Sequence, residues 1–370
     1  MRFPEFTEEW KAEQLDNIAT LSKGIGISKE QLSEDGEPCI LYGELYTKYK
    51  SEIIKQVESK TDINGSKLKR SKANDVIIPC SGETAVDIAT ARCVPFDNIL
   101  FGGGLNVISL HQYDGAFMSY QLNGKRKYDI ARVAQGVSIV HLYGEHLKAI
   151  KTYNPTLPEQ QKIAKLLSLL DDRIDTQNKI IEDLKKLKSA ISERLFKSVK
   201  GFTVLLSDLC DIVKGKQING ENLSDSGNYY VMNGGTEPSG YYDNYNVEAS
   251  TISISEGGNS CGYVQFNTSP FWSGGHCYSI QNIADKVDNM YLYHYLKSNE
   301  DAIMKLRIGS GLPNIQKKDL AMFKIIVPKI EWQIKISTFL SSLERKAEIE
   351  ERIQNVMQKQ KLYLLQQMFI

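Results

Sequence analysis

The stretch NPTLPEQQKIAKLLSLLDDRI at residues 154–174 has a counterpart, VPKIEWQIKISTFLSSLERKA, at residues 327–347. The correspondence extends without a gap when Pro155–Phe196 is aligned with Pro328–Phe369. Glutamine, lysine, isoleucine, serine and leucine recur at matching positions, so the chain contains an internal repeat. The repeat predicts a globular segment followed by a helix, and then a different globular segment followed by a second helix.

Each copy predicts a long amphipathic helix that begins near a proline, where the missing N–H is tolerated. Apolar residues then recur at alternating spacings of three and four, which is the pattern of a coiled-coil seam. An ordinary core helix would show a broader stripe over about three or four turns. We therefore expect the two helices to pair through these seam residues: Ile163, Leu167, Leu170, Ile174, Gln177, Leu184, Leu195, Ile336, Leu340, Leu343, Ala347, Gln354, Met357, Leu364 and Met368.

The predicted pairing is antiparallel about a pseudo-twofold axis, because each globular segment must join the same end of its helix. Gln177 then faces Gln354 at the centre, and a polar layer of this kind lowers stability but can fix the register. The apolar neighbours in this register are Ile163 with Met368, Leu167 with Leu364, Leu184 with Ala347, and Leu195 with Ile336.

The segments outside the helices contain short apolar and aromatic runs, such as NDVIIPC at 74–80 and ASTISIS at 249–255. Clusters of Gly, Asn and Ser separate these runs, which predicts strands joined by polar loops. Few helices are expected in these segments, around Gly43–Val57, Ala116–Leu122 and Met290–Ile308.

The predicted fold class is therefore α+β. It has two α/β domains, each with a twisted and mainly antiparallel sheet, separated by two long helices paired as an antiparallel coiled coil. The two globular segments also correspond weakly, since Lys23-Gly24 matches Lys214-Gly215. The predicted boundaries are 1–154 and 201–327 for the domains, 155–200 for the central helix and 328–370 for the C-terminal helix.

Composition excludes several classes of protein. A chain of 370 residues exceeds the size of about 250–300 residues at which single cores stop growing, which favours two domains. The 45 Lys and Arg residues balance 45 Asp and Glu residues, unlike the polybasic body of a nonspecific nucleic-acid binder. We find no apolar run of about 18 residues and no charged-then-apolar leader, so we expect a soluble cytoplasmic protein without membrane contact.

The sequence lacks the motifs of several enzyme classes. The six cysteines include no C-x-x-C pair and the five histidines form no H-E-x-x-H. No phosphate-binding G-x-x-x-x-G-K-[ST] loop occurs, and Asn154-Pro155-Thr156 is not the N-P-P-[YF] pocket of an amino-methyltransferase. We therefore expect a non-catalytic chain with no metal or cofactor of its own.

Three stretches together resemble the specificity subunit of a type I restriction-modification system. LPEQQKIAKLLSLLDDRIDTQNKIIEDLKKLKSAISERLF at 157–196 looks like the central conserved region of that family, and GSGLPNIQKKDLAMFKIIVP at 309–328 looks like the end of its target-recognition domain. KGIGISKEQLSEDGEPCILYGELYTKY at 23–49 is similar to a common opening of the first such domain. The first unit departs from the pattern at 135–155, where QGVSIVHLYGEHLKAIKTYNP replaces G-S-G-x-P-N-I.

The resemblance implies a division of labour between subunits. Two target-recognition domains would read the halves of a split site on double-stranded DNA, with one copy of this chain in each complex. The paired helices would dock two modification subunits, which bind S-adenosylmethionine and methylate adenine, while restriction subunits cleave using ATP and Mg²⁺. A helix of forty residues spans roughly 60 Å, and one turn of B-DNA is about 34–36 Å, so the helices are expected to act as a ruler.

Base reading needs side chains with donors and acceptors in the major groove. The candidates lie in the polar loops that end strands. For each candidate an ordinary exposed turn is the alternative, and the lysines at matching repeat positions are expected to contact phosphates. Ser310, Gly311 and Asn314 are expected to do the same or only to shape a turn. The DNA-binding candidates are Lys23, Tyr42, Glu44, Tyr46, Thr47, Ser81, Glu83, Thr84, Arg92, Lys214, Asn233, Thr236, Glu256, Asn259, Ser260, His276, Ser310 and Asn314.

Two other interpretations of the sequence stay open. One is a coiled-coil adhesin or scaffold with β-rich heads and no DNA role. The other is a single-chain DNA-modifying enzyme, which would need a cofactor domain for which this chain has no room.

Overall fold

The computed structural model describes residues 2–64, 67–136, 139–309, 311 and 313–369. The chain divides into two compact units, unit 1 with Met1–Lys179 and Arg352–Ile370, and unit 2 with Ile180–Glu351. Each unit contains a globular segment and part of each long helix. Within the described ranges, no helix is long and apolar enough to cross a membrane.

Unit 1 contains short strands and short helices. Its strands are β1 (Lys11–Gln14), β2 (Ala19–Lys23), β3 (Leu32–Ser33), β4 (Glu37–Ile40), β5 (Lys60–Thr61), β6 (Lys69–Arg70), β7 (Asp75–Pro79), β8 (Ser81–Gly82), β9 (Arg92–Val94), β10 (Leu100–Phe101), β11 (Leu105–Leu110), β12 (Val140–His141) and β13 (Lys151–Asn154). Its helices are α1 (Leu15–Ile18), α2 (Glu44–Thr47), α3 (Ala85–Ile88), α4 (Gly115–Asn123), α5 (Lys127–Val133) and α6 (Gly144–Lys148), followed by the long helix α7 (Leu157–Ser198) that continues into unit 2.

An antiparallel sheet with the order β2-β11-β7-β9 forms the centre of unit 1. Strand β7 is buried along its whole length, and alternate side chains of a strand point to opposite faces. Val76 and Ile78 accordingly pack with α1 and α4 on one side, while Ile77 packs with Ile40 and Phe101 on the other. A second sheet, β3-β5-β4-β10-β6, includes the parallel pair β4–β10.

Unit 2 repeats this plan with a different sequence. Its strands are β14 (Phe202–Leu205), β15 (Asp211–Lys214), β16 (Tyr229–Met232), β17 (Tyr241–Tyr242), β18 (Thr251–Ser255), β19 (Val264–Asn267), β20 (Trp272–Ser273), β21 (Cys277–Gln281) and β22 (Lys324–Val327). Its helices are α8 (Asn289–Ser298), α9 (Glu300–Met304) and α10 (Lys317–Ala321), followed by the long helix α11 (Ile330–Gln367) that continues into unit 1.

The central sheets of the two units correspond strand by strand. The order β15-β21-β18-β19 is antiparallel like β2-β11-β7-β9, and β16–β20 is a parallel pair like β4–β10. Gly24 and Gly215 occupy equivalent positions in the two units. A side chain at Gly24 would collide with the backbone carbonyl of Gly102, and a side chain at Gly215 would collide with that of Gly274. The mixed helix and sheet content confirms the predicted α+β fold class.

The long helices pair in an antiparallel manner within each unit. In unit 1 the start of α7 packs against the end of α11, where Ile163, Leu167, Leu365 and Met368 share one apolar cluster. In unit 2 the end of α7 joins the start of α11 in the main core, which holds Phe196, Leu195, Ile336 and Leu340 among others.

The seam residues differ in burial. Gln354 donates a hydrogen bond to Asn178, the neighbour of Gln177, and Leu365 is more deeply buried than the predicted Leu364. The buried seam residues are Ile163, Leu167, Ile174, Gln177, Ile336, Leu340, Met357 and Met368; the half-buried ones are Leu170, Leu184, Leu195, Leu343, Ala347, Gln354 and Leu364.

One predicted helix is wrong. The helix expected around Gly43–Val57 ends at Thr47, because the following backbone is drawn into contacts with strand β9. Ile53 forms an isolated bridge with Cys93, and Ile54 N–H donates to Cys93 O. The third predicted helix is divided between α8 and α9 at Asn299.

Candidate nucleic-acid interface

The polar loops of unit 2 meet at one end of its central sheet. Strands β15 and β18 end there, and β21 begins there, because Lys214 pairs with Tyr278 and Ser255 pairs with Cys277. The loops after β16 and β20 reach the same place, since Gly274 N–H donates to Met232 O. We call this group of loops, with residues 308, 309, 311, 313 and 314, loop cluster 2.

Lys214 and Glu256 form an ion pair at the base of loop cluster 2. Lys214 Nζ lies 2.6 Å from Glu256 Oε1, and the Tyr278 hydroxyl lies 3.1 Å from the same oxygen and 3.0 Å from Ile315 O. Burial and the Glu256 charge raise the pKa of Tyr278, so its hydroxyl stays protonated and donates. Glu256 is 8% exposed, whereas the Lys214 side chain is 53% exposed. Lys214 can therefore reach an external anion, and Glu256 fixes its position.

His276 and Asn314 occupy the outer part of loop cluster 2. His276 N–H donates to Asn233 Oδ1 over 3.0 Å, and Glu256 N–H donates to His276 O over 2.9 Å. Asn314 exchanges backbone hydrogen bonds with Ile308, and it bridges to Gly257. Both side chains are exposed, so their polar groups are available to a ligand.

The remaining candidates of unit 2 lie on the same loops. Thr236 and Asn259 are exposed, Ser260 is half-buried, and Gly311 is exposed. Ser310 lies outside the described residues.

The corresponding end of the unit 1 sheet contains a cleft of about 1070 Å³. The Tyr46 hydroxyl donates to Ser81 O over 3.1 Å across this cleft, and Tyr42 is 43% exposed. Six of the nine unit 1 candidates line it, namely Tyr42, Tyr46, Thr47, Ser81, Glu83 and Arg92. We call this cleft, with residues 135, 136 and 139–141, loop cluster 1.

Three candidates of unit 1 satisfy internal hydrogen bonds. Glu44 is buried and accepts from Leu41 N–H over 2.8 Å and from the Ser59 hydroxyl, while Lys48 lies 2.8 Å away. Arg92 donates to Tyr49 O and Ala91 O, and burial lowers its pKa. Thr84 caps α3 by accepting from Asp87 N–H. Through these contacts each of the three side chains stabilises the backbone around loop cluster 1.

Lys23 ends strand β2 as Lys214 ends β15, and both side chains are exposed. Cys80 follows β7 in unit 1, at the position that Glu256 occupies after β18 in unit 2. Burial raises the pKa of the Cys80 thiol and the Lys23 charge opposes that shift. Lys23 also lies 5.7 Å from the centre of the Tyr143 ring. The two lysines are therefore equivalent in backbone position but differ in their neighbours.

The structure also identifies a candidate that sequence reasoning missed. His141 exchanges backbone hydrogen bonds with Gln135 and pairs with Ser81, as Asn314 does with Ile308 and Gly257. Gly136 and Gly309 both have positive φ, at 122° and 100°. The spacing from each glycine to the paired residue is the same in QGVSIVH and IGSGLPN, and this signal could have located His141.

A metal centre is not part of either loop cluster as described. Among the residues with described positions, no group of three or more His, Cys, Asp or Glu side chains could hold a metal ion.

Comparison with known proteins gives three kinds of match. Residues 7–186 and 201–359 match the family described as the type I restriction modification DNA specificity domain. The chain is 34% identical over 122 residues, 32% of this chain and 31% of the relative, to a putative type I specificity subunit of Mycoplasma genitalium. It is 24% identical over 96% of this chain and 90% of the relative to a type I restriction enzyme specificity subunit of Methanocaldococcus jannaschii.

The fold has a solved counterpart. The crystal structure of the S subunit of a type I restriction-modification system from M. genitalium matches with a TM-score of 0.70 and 19% identity, over 100% of this chain and 97% of that chain. This likeness shows the fold. The sequence match to the first M. genitalium relative covers about a third of that protein, 31%.

The fold is that of a protein with two α/β units and two long helices that run from one unit into the other. The chain belongs to the type I restriction modification DNA specificity family, because the family match covers most of its length. This confirms the family to which the three sequence stretches pointed.

Proposed function

We propose that the chain is the subunit that reads a bipartite site on double-stranded DNA for a type I restriction-modification complex. Loop cluster 1 reads one half-site and loop cluster 2 reads the other. The observation that carries this proposal is the matched placement of Lys23 and Lys214. Each lysine is exposed at the end of the equivalent strand, beside polar loops. Phosphate contacts set the register of a protein on DNA, and neighbouring polar side chains then read base edges.

The chain itself is proposed to be non-catalytic. Partner subunits that bind S-adenosylmethionine would methylate adenine, and restriction subunits would cleave with ATP and Mg²⁺. The chain would act in the cytoplasm, as one copy per complex.

The long helices support docking of two modification subunits. Single exposed apolar side chains are normal on a protein surface, whereas groups of them mark contact sites. Here they recur at matching repeat positions, which favours two equivalent docking faces. The exposed pairs are Leu157 with Ile330, Leu166 with Phe339, and Ile180 with Ile353.

The test is selection of bound duplexes from a randomised pool, with the chain alone and with its modification subunits. We expect enrichment of one motif with two specified halves and an unspecified gap. A scaffold or adhesin would enrich no motif, and a single-chain DNA-modifying enzyme would methylate the motif without partner subunits.

A further inference from the structure

Among the residues that the structure describes, one buried oxygen of loop cluster 2 has no hydrogen-bond partner. Glu256 Oε1 accepts from Lys214 and Tyr278, whereas no described residue donates to the buried Glu256 Oε2. An unpaired acceptor of this kind costs free energy when water is excluded. A duplex that covers the loops would exclude water, so the complex would favour a donor at Oε2.

His276 supplies a donor from the neighbouring loop. Its Nδ1 lies 4.0 Å from Glu256 Oε2, just beyond hydrogen-bond range, and its side chain is 62% exposed. The backbone on both sides of the imidazole is fixed, because His276 N–H bonds Asn233 and His276 O accepts from Glu256 N–H. Gly234 leaves room beside it, since a Cβ at Gly234 would lie 3.1 Å from His276 Cβ. The inferred hydrogen bond requires the two atoms to approach each other by about 1 Å.

The bond to Glu256 determines what the other ring nitrogen can recognise. A carboxylate only accepts hydrogen bonds, so Nδ1 must carry the proton and Nε2 of the neutral imidazole is left as an acceptor. In the major groove, acceptors pair with the exocyclic amino groups of adenine and cytosine.

We infer that His276 reads an amino-bearing base, adenine or cytosine, in the half-site of unit 2, and that Glu256 is a positioning residue that fixes the His276 tautomer. This inference rests on the proposed function, because it requires loop cluster 2 to meet DNA. The titratable groups around the imidazole are Glu256 and, through it, Lys214 and Tyr278.

Unit 1 carries different residues at these positions. Cys80 takes the place of Glu256, and Gly104 takes the place of His276, because Cys80 N–H donates to Gly104 O as Glu256 N–H donates to His276 O. The effect of changing His276 or Glu256 is therefore confined to one half-site, and the other half-site is an internal control.

The experiment begins with the motif that the wild-type chain selects from randomised duplexes. Each adenine or cytosine of the half-sites is then replaced by purine or 2-pyrimidinone, which lack the amino group. We expect one replacement in one half-site to weaken wild-type binding about 3- to 10-fold. The variant His276→Ala should bind the normal and the replaced duplex equally. The control variant is Tyr128→Ala, because Tyr128 is exposed on α5 and lies outside both loop clusters. It should bind the normal and the replaced duplexes as the wild-type chain does.

Glu256→Gln separates positioning from mere structural support. The single amide oxygen of Gln is expected to stay on Lys214, which turns the amide N–H₂ towards His276 Nδ1 and leaves Nε2 protonated. The preference at that base pair should then change from an amino base to a keto base, guanine or thymine, by about 3- to 10-fold.

Two outcomes would overturn the inference alone. One is a His276→Ala variant that keeps the wild-type sensitivity to amino-group removal, and the other is a Glu256→Gln variant that loses affinity equally for all sequences. A wild-type chain that enriches no motif would overturn the proposed function and this inference together.

Discussion

Lys361 Nζ lies 2.6 Å from Asp171 Oδ1 and so joins α11 to α7 inside unit 1. The same two repeat positions, with the helices exchanged, form the pair of Lys188 and Glu344 in unit 2, also at 2.6 Å. Tyr120 donates to Asp171 in unit 1 and Tyr293 donates to Glu344 in unit 2. The internal repeat therefore preserves a charged contact between the helices, each time held by a tyrosine from the adjoining globular segment.

Removing the cation of the unit 1 contact should destabilise that unit strongly. Lys361 also lies 2.5 Å from the buried Glu52, so Lys361→Met leaves two buried carboxyl groups without this partner. Breaking such a buried network costs about 3–5 kcal/mol, which urea unfolding of the purified chain would measure.

The control for this change is Lys186→Met, since Lys186 is exposed and pairs along its own helix with Glu182. Adding Glu52→Gln and Asp171→Asn to Lys361→Met should recover part of the lost stability. A stability loss no larger for Lys361→Met than for Lys186→Met would contradict this role.

The antiparallel seam predicts a specific crosslink. In an otherwise cysteine-free chain, Ile163→Cys and Met368→Cys should form a disulfide efficiently on mild oxidation, because both positions lie in one buried cluster. The yield is measured by mobility on non-reducing gels. Efficient linkage of Ile163→Cys to Ile336→Cys would instead indicate a parallel arrangement.

The stability of unit 2 should fall as pH decreases below 6.5. His294 is buried and its Nε2 lies 2.9 Å from the Ser341 hydroxyl; burial lowers its pKa from 6.5 to about 4. The folded state therefore binds fewer protons than the unfolded state between pH 6.5 and about 4. In that window each unit of decreasing pH lowers the free energy of unfolding by up to about 1.4 kcal/mol.

His294→Gln keeps a hydrogen-bonding group but does not titrate, so its unfolding free energy should depend less on pH in this range. Denaturant midpoints at several pH values measure the difference. Equal pH slopes in the two proteins would exclude His294 as the source.

Substitution of a phosphate-contacting residue and substitution of a base-contacting residue should have different effects on DNA binding. Lys23→Ala and Lys214→Ala should each weaken binding to all duplexes similarly and reduce the salt dependence, since phosphates carry no sequence information. Glu83→Ala or Asn259→Ala should instead relax one half-site by about 1–3 kcal/mol if the side chain reads a base. Selection from randomised duplexes distinguishes the two, and an altered motif in the lysine variants would show that these roles are misassigned.

The helices and the central strands could be predicted because their patterns are local. Spacings of three and four located α7 and α11, and the run NDVIIPC located β7. The helix expected over Gly43–Val57 failed because the bridge between Ile53 and Cys93 joins residues far apart in sequence. Local helix propensity contains no information about such a long-range contact, and the contact overrides the propensity.

The candidate loops could be predicted only in part for the same reason. The repeat placed Lys23 and Lys214 at equivalent positions, but it did not show that Glu256 would hold one lysine while Cys80 faces the other. His141 was missed because its equivalence to Asn314 depends on backbone pairing with Ser81 and Gly257, not on shared side chains.

The long helices are expected to act as a ruler that sets the distance between the two half-sites. Inserting one heptad in each helix, near Ile181 and Glu350, keeps the seam in phase and adds roughly 10 Å. That length corresponds to about three base-pair rises of ~3.4 Å. Both half-sites should then stay unchanged while the unspecified gap between them widens, although the rotation around the duplex would weaken binding.

Methylation-sensitive sequencing of a host that carries the lengthened chain and its partner subunits measures this gap directly. The matched control carries the same insertion in α7 only, which disrupts the pairing with α11 and should abolish selection of the bipartite motif. A lengthened chain that still directs methylation to the original motif with its original gap would show that loops or partner subunits set the spacing. The ruler hypothesis would then have to be abandoned, whereas the assignment of one half-site to each loop cluster would be unaffected.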